Sequence, residues 1–164
     1  MTVSTDILRT WRAPRQVMRR LLEMGPREDR ALAFLMAACL LMFASRLPAI
    51  ARDSELDGTI PLDAAIQTAL YAWIFIFPLF AYLLSFVVWL MLRILSTKVR
   101  SYHARLALFW SFLATTPASL LFGLSQGLVG DAPASNLVGG LLIVGFLYIF
   151  VQSLREILRA CSDA

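Results

Sequence analysis

Few side chains in this sequence are of a type that makes or breaks bonds, and none has a partner at a useful spacing. His103 is the only histidine, and one imidazole supplies neither a metal ligand set nor a nucleophile–base pair. Cys39 falls in an apolar stretch and Cys161 in a polar tail, which matches neither a disulfide framework nor a zinc pattern. The expectation is two unrelated thiols, with Cys39 acting as a small packing residue. Phosphate-loop and dinucleotide glycine motifs are absent. No acid/base pair is placed for catalysis, so the expectation is no enzyme and no cofactor.

The chemistry the residues do offer is anion binding. On a helical wheel Ile7, Leu8, Trp11, Val17, Met18, Leu21 and Leu22 fall on one side, and Arg9, Arg12, Arg19, Arg20 and Glu23 on the other. This is an amphipathic segment with a basic face, the pattern of a helix in the headgroup layer. Pro14 kinks it or divides it in two, with Pro14 opening the second helix. Trp11, Arg12, Arg15, Arg19 and Arg20 are the candidate contacts to anionic headgroups. Each basic residue near an anionic leaflet contributes roughly 1 kcal/mol. Arginines beside membrane spans are accounted for by topology, so nucleic acid is not an expected partner.

The elements that must position this segment are apolar. The 164-residue chain is 59% apolar and 16% charged, against about 45–50% and about 25% in soluble domains. No Asp, Glu, Lys, Arg or His occurs in Ala31–Ser45, Ala64–Leu92, Leu106–Gly130 or Ala132–Leu154, windows of 15, 29, 25 and 23 residues. A helix needs about 20 residues to cross hydrocarbon. The first window reaches that length if it runs to Ile50, with Pro48 ending it and Arg46 reaching the outer headgroups. The expected fold is an all-α membrane protein. It is a four-transmembrane-helix bundle with spans near 31–50, 64–92, 106–124 and 137–154, preceded by the amphipathic interfacial segment. The domains are then a basic cytoplasmic segment 1–30, a transmembrane unit 31–155 and a cytoplasmic tail 156–164. The first 30 residues hold seven arginines and no unbroken apolar run, so no secretory signal is expected and the first span stays as an anchor.

Orientation follows from the basic residues. With the amino end inside, 13 of the 15 basic residues lie on the cytoplasmic side, including Arg93, Lys98, Arg100, Arg105, Arg155 and Arg159. Arg46 and Arg52 remain outside with Asp53, Glu55, Asp57, Asp63 and Asp131. The positive-inside rule selects this arrangement, with both ends in the cytoplasm.

Within the spans the polar residues are uncharged, except for Arg46 near an interface, which argues against an ion-coupled transporter or proton pump. Thr115 and Thr116 precede Pro117, and their hydroxyls can satisfy backbone groups that the proline disturbs. Pro78 predicts a kink in the long second span. Gly123 and Gly127 form a Gly-xxx-Gly pair, suited to close helix approach or to the turn towards Asp131. Gly139, Gly140 and Gly145 offer the fourth span the same choice between packing within the bundle and self-association.

One family pattern is visible in these segments. Trp11-Arg12-Ala13-Pro14-Arg15 is followed by Val17, Arg19-Arg20-Leu21-Leu22 and Gly25-Pro26-Arg27-Glu28-Asp29-Arg30. Ala104-Arg105-Leu106-Ala107-Leu108-Phe109-Trp110 opens the third span. The chain resembles the bacterial branch of the Yip-domain family, small multi-span proteins related to Golgi membrane proteins that interact with Rab-type GTPases. Family members commonly have five spans, and four are counted here. The resemblance implies a non-enzymatic membrane protein acting through lipids or protein partners. The expected function is to organise the membrane or bind such partners, a homo-oligomer included. The alternatives are an accessory subunit or assembly factor of a larger membrane complex, and a carrier or channel for a neutral or hydrophobic solute.

Overall fold

The computed structural model describes residues 3–58, 60–95, 99–130 and 133–162. Lys98 and Asp131, used above for orientation, lie outside the described residues. All regular structure among the described residues is helical: α1 (Val3–Arg12), α2 (Pro14–Glu23), α3 (Glu28–Asp57), α4 (Leu62–Tyr71), a π-helical turn (Ala72–Ile76), α5 (Phe77–Leu95), α6 (Ser101–Val129) and α7 (Pro133–Ser162). Among the described residues, four helical segments are long and apolar enough to cross a membrane: Glu28–Leu56, Leu62–Ile94, Ser101–Val129 and Ser135–Cys161. The fold is thus an all-helical bundle of four candidate spans, with α1 and α2 as an additional helical hairpin.

α6 is the centre. In its most apolar stretch 67% of residues are buried, against 11% in each of the spans Leu62–Ile94 and Ser135–Cys161. Leu106, Ala107, Leu108, Phe109, Trp110, Leu113 and Ala114 are all buried. Edge-to-face rings fasten neighbours to it. Phe34 of α3 meets Trp110 at 5.0 Å, Tyr82 of α5 meets Phe109 at 5.1 Å, and Phe77 of α5 meets Phe112 at 5.2 Å. Phe146 of α7 stacks on Phe112 at 5.1 Å.

α3 and α6 run parallel, since contacts near their starts and near their ends pair in the same order. Arg105 Nη2 donates to Glu28 Oε1, and Arg30 Nη2 donates to Tyr102 Oη at 3.0 Å. At the far end Arg46 Nη1 donates to Gln126 Oε1 at 3.3 Å and Arg52 Nη1 to the Leu128 carbonyl at 3.1 Å. Between these levels the helix backbones touch. A Cβ on Gly123 would collide with the Ser45 carbonyl, and one on Gly127 with the Pro48 ring. The Gly-xxx-Gly pair therefore serves packing within this chain. The turn after α6 falls instead at Gly130, with φ 74°.

Two local features add to or differ from the sequence reading. α3 does not end at Pro48 but carries that residue inside the helix and continues to Asp57. A proline inside a helix removes one backbone donor, and packed neighbours can absorb this cost. Here Pro48 is seated on Gly127. The helix stops at Gly58, whose left-handed φ of 58° turns its N–H to the Ser54 carbonyl at 3.2 Å. In the second span the irregularity near Pro78 takes the form of the π turn just before it. There the Phe77 N–H bonds the Ala72 carbonyl five residues back.

Substitution by alanine at two glycines separates packing from propensity. Gly123→Ala forces α3 and α6 apart and is expected to cost about 1–3 kcal/mol. At Gly140 nothing lies within 4 Å of where a Cβ would stand, so Gly140→Ala is expected to be neutral or to stabilise by up to about 1 kcal/mol. Thermal unfolding of the full chain in mild detergent measures both.

Candidate functional site

The amino-terminal segment divides at its proline. Ala13 carries a non-helical φ of −143°, and Pro14 opens α2 at a position where its missing N–H costs nothing. The hairpin of α1 and α2 docks on the bundle through its apolar side. Val17, Met18 and Leu21 are buried in one cluster with Leu35, Leu106, Phe109 and Ile157. The face that the sequence assigns to the interface is thus met by protein over much of α2, while Leu8 of α1 stays exposed.

Three polar contacts lock the docking. Trp110 Nε1 donates to Thr10 Oγ1 at 3.1 Å, and that hydroxyl donates to the Asp6 carbonyl at 2.7 Å. Trp11 Nε1 donates to the Ala114 carbonyl of α6 at 2.9 Å. The indole edge lies over Gly145 of α7, where a Cβ would come within 2.8 Å of the ring. At the hairpin's other end Arg30 ties the turn into α3, its Nη2 donating to the carbonyls of Leu21 and Gly25 at 3.0 and 2.9 Å.

The basic side of α2 faces α7 in a matched register. Arg15 Nε donates to Gln152 Oε1 at 2.8 Å, and Arg19 Nε donates to Glu156 Oε1 at 2.9 Å. Both pairs are four residues apart on their own helix, so the two contacts repeat one turn along each. The Glu156 side chain is 4% exposed and that of Arg19 67% exposed. The pair therefore holds a carboxylate inside the interface while the guanidinium reaches solvent. Arg20 Nη1 meets Asp6 Oδ1 at 3.3 Å across the hairpin.

Clefts open on several sides of α2. One of about 470 Å³ is lined by Arg15, Gln16, Arg19, Arg20, Glu23, Glu156 and Arg159. A second of about 350 Å³ lies among Arg12, Arg15, Gln16, Tyr148 and Gln152, and a third of about 500 Å³ among Asp6, Arg9, Arg12, Gln16 and Arg20. Guanidinium groups around open clefts suit phosphate and carboxylate, which they bind bidentately. Arg12, Arg15, Arg19 and Arg20 thus come together around the clefts, whereas Trp11 lines none of the three and anchors the hairpin to α6 and α7.

The remaining candidates lie elsewhere. Thr115 and Thr116 are buried and bonded to their own helix: Thr115 Oγ1 donates to the Ser111 and Phe112 carbonyls at 3.0 and 2.9 Å, and Thr116 Oγ1 to the Leu113 carbonyl at 2.8 Å. Leu113 is the residue whose regular donor would be the missing N–H of Pro117. Pro78 belongs to the π-turn region, Gly123 and Gly127 to the α3–α6 contact, and Gly140 faces open space. Sequence reasoning did not find Gln152 or Glu156, although their spacing of four matches that of Arg15 and Arg19. It also did not bring His103 near Cys161, 58 residues away, where Nδ1 and Sγ are 3.9 Å apart. No local signal connects those two.

The fold and its arginine-lined collar define a multi-pass helical membrane protein. Comparison with family models, curated proteins and solved structures finds no match.

Removing the anchor is expected to loosen the hairpin selectively. Trp11→Ala should cost about 3 kcal/mol, the lower end for a buried tryptophan because this one is partly exposed. Hydrogen exchange should then quicken in 3–24 and stay unchanged in the middle of α6. Trp11→Phe keeps most of the ring and loses one hydrogen bond, a change of about 1 kcal/mol.

Proposed function

We propose that this is a non-enzymatic inner-membrane protein of Yip-like type that organises anionic lipid, and partners recruited with it, around its cytoplasmic collar. The observation that carries this reading is the gathering of Arg9, Arg12, Arg15, Arg19, Arg20 and Arg159 around three clefts on one end of the bundle. The collar stands at the end where the starts of α3 and α6 meet the end of α7, and that is the end the positive-inside rule assigns to the cytoplasm. The resemblance supports the same class. The segments around Trp11–Arg15, Arg19–Leu22, Gly25–Arg30 and Ala104–Trp110 carry it, and the fold assembles all of them into the docked hairpin and its floor.

Two measurements test the reading. Reporter fusions or impermeant thiol labelling should place both ends in the cytoplasm, and labelling of either end from outside would overturn the orientation. Lipids carried with the full chain in polymer-excised membrane discs should be enriched in anionic species over the bulk membrane. The R9Q/R12Q/R15Q/R159Q variant should fall several-fold towards bulk composition, given about 1 kcal/mol per basic residue at an anionic surface. An unchanged shell in that variant would remove the proposal. Arg19 is left intact there because its loss would strand the buried Glu156 carboxylate.

A further inference from the structure

Resting on that reading, we infer that the cleft between Arg12, Arg15, Tyr148 and Gln152 is a defined site for one anionic phospholipid, headgroup at the arginines and acyl chain along α7. The cleft is walled by α7 as well as by the hairpin, as is the cleft that holds Glu156 and Arg159. It differs from that one in reaching Tyr148, half exposed on the outer surface of the bundle.

The headgroup end has the chemistry of a phosphate site. Arg15 is fixed by its Nε bond to Gln152, which leaves the two terminal nitrogens of the guanidinium to reach an acceptor. Arg12 has no hydrogen-bond or ion-pair partner among the described residues and sits on the same cleft. Two guanidiniums across one cleft, without a carboxylate in its lining, present up to four terminal donors to a phosphodiester. The other two clefts each include carboxylates, Glu23 and Glu156 in one and Asp6 in the other.

The acyl end is drawn by the face of α7 that continues from Tyr148. Val144, Leu141 and Leu137 are exposed at intervals of three and four residues, which places them on one helix face with Tyr148. Gly140 lies on that face with open space above it, so the face carries a shallow groove between Leu137 and Val144. From Tyr148 to Gly140 the helix rises about 12 Å. One leaflet of hydrocarbon is about 15 Å deep. The stretch from the arginines to the open space at Gly140 therefore lies within the reach of one acyl chain below one headgroup. A free phosphate would use only the first half of this arrangement, and a soluble acidic partner would have no use for the second.

Native mass spectrometry of the full chain with added lipid tests the assignment. The probes are a long-chain phosphatidylglycerol, phosphatidylcholine of the same chains, and inorganic phosphate. The expected result is one phosphatidylglycerol retained per chain in preference to phosphatidylcholine, and no displacement by millimolar inorganic phosphate. R12Q/R15Q should lower retention at least tenfold, whereas R93Q, near the end of α5 and outside the collar, should leave it within about twofold. Gly140→Leu, which fills the groove without touching the arginines, should also weaken retention. Displacement by inorganic phosphate would overturn the lipid assignment. Loss of retention in R9Q/R159Q but not in R12Q/R15Q would overturn the site while leaving the collar reading intact. Equal retention of both lipids by the unaltered chain, together with an unenriched shell in membrane discs, would overturn both. Exchange protection of 3–24 matching the unaltered chain verifies that each variant keeps the hairpin docked.

Discussion

Where Gly123 and Gly127 carry no side chains, the Ser45 carbonyl and the Pro48 ring lie directly against the backbone of α6. The close approach of α3 and α6 is the constraint on which the bundle depends. Hydrocarbon gives helices little hydrophobic reason to associate, so backbone proximity and dispersion contacts carry the load. With the two helices parallel and in contact along their length, α6 has its other faces free for α5 and α7. Its amino-terminal half then becomes the floor on which the α1–α2 hairpin sits.

That central place explains the polarity of α6. The stretch of α6 from Ala104 to Ser119, largely enclosed by protein, can hold hydroxyls that a lipid-facing helix would expose to hydrocarbon. Ser111, Thr115, Thr116 and Ser119 are buried, and each returns a hydrogen bond to a carbonyl three or four residues earlier. The hydroxyls are satisfied locally, and Thr116 covers the carbonyl that Pro117 deprives of its partner. The peripheral spans do the opposite. They present Phe75, Leu79, Leu83, Leu141 and Val144 outward, where lipid is the solvent.

The four spans are legible in the sequence because charge exclusion from hydrocarbon is strong and local in the chain. The division at Pro14 is legible for a similar reason, since proline acts on its own helix. What stays hidden is which helix is central. Hydropathy measures affinity for lipid, and the most enclosed span here is the least apolar of the four. The apolar face of α2 is visible on a helical wheel, but the wheel does not distinguish lipid from protein as its cover. Gln152 and Glu156 are missed because one reads as a polar residue near the end of a span and the other as the start of a tail. Their meaning appears only when Arg15 and Arg19, 137 residues earlier, are set beside them.

That separation has a consequence for how the molecule is built. Trp11 needs Ala114 and Gly145, and Arg19 needs Glu156, yet α1 and α2 leave the ribosome long before α7 exists. At about 5–20 residues per second, the 137 residues between Arg19 and Glu156 keep the hairpin waiting roughly seven to twenty-seven seconds for its last partner. Through that interval its arginines are unpaired with α7 and its apolar face is uncovered. Synthesis of the final span is therefore the event that completes the hairpin's docking, since Arg15 and Arg19 have their α7 partners only once Gln152 and Glu156 are made.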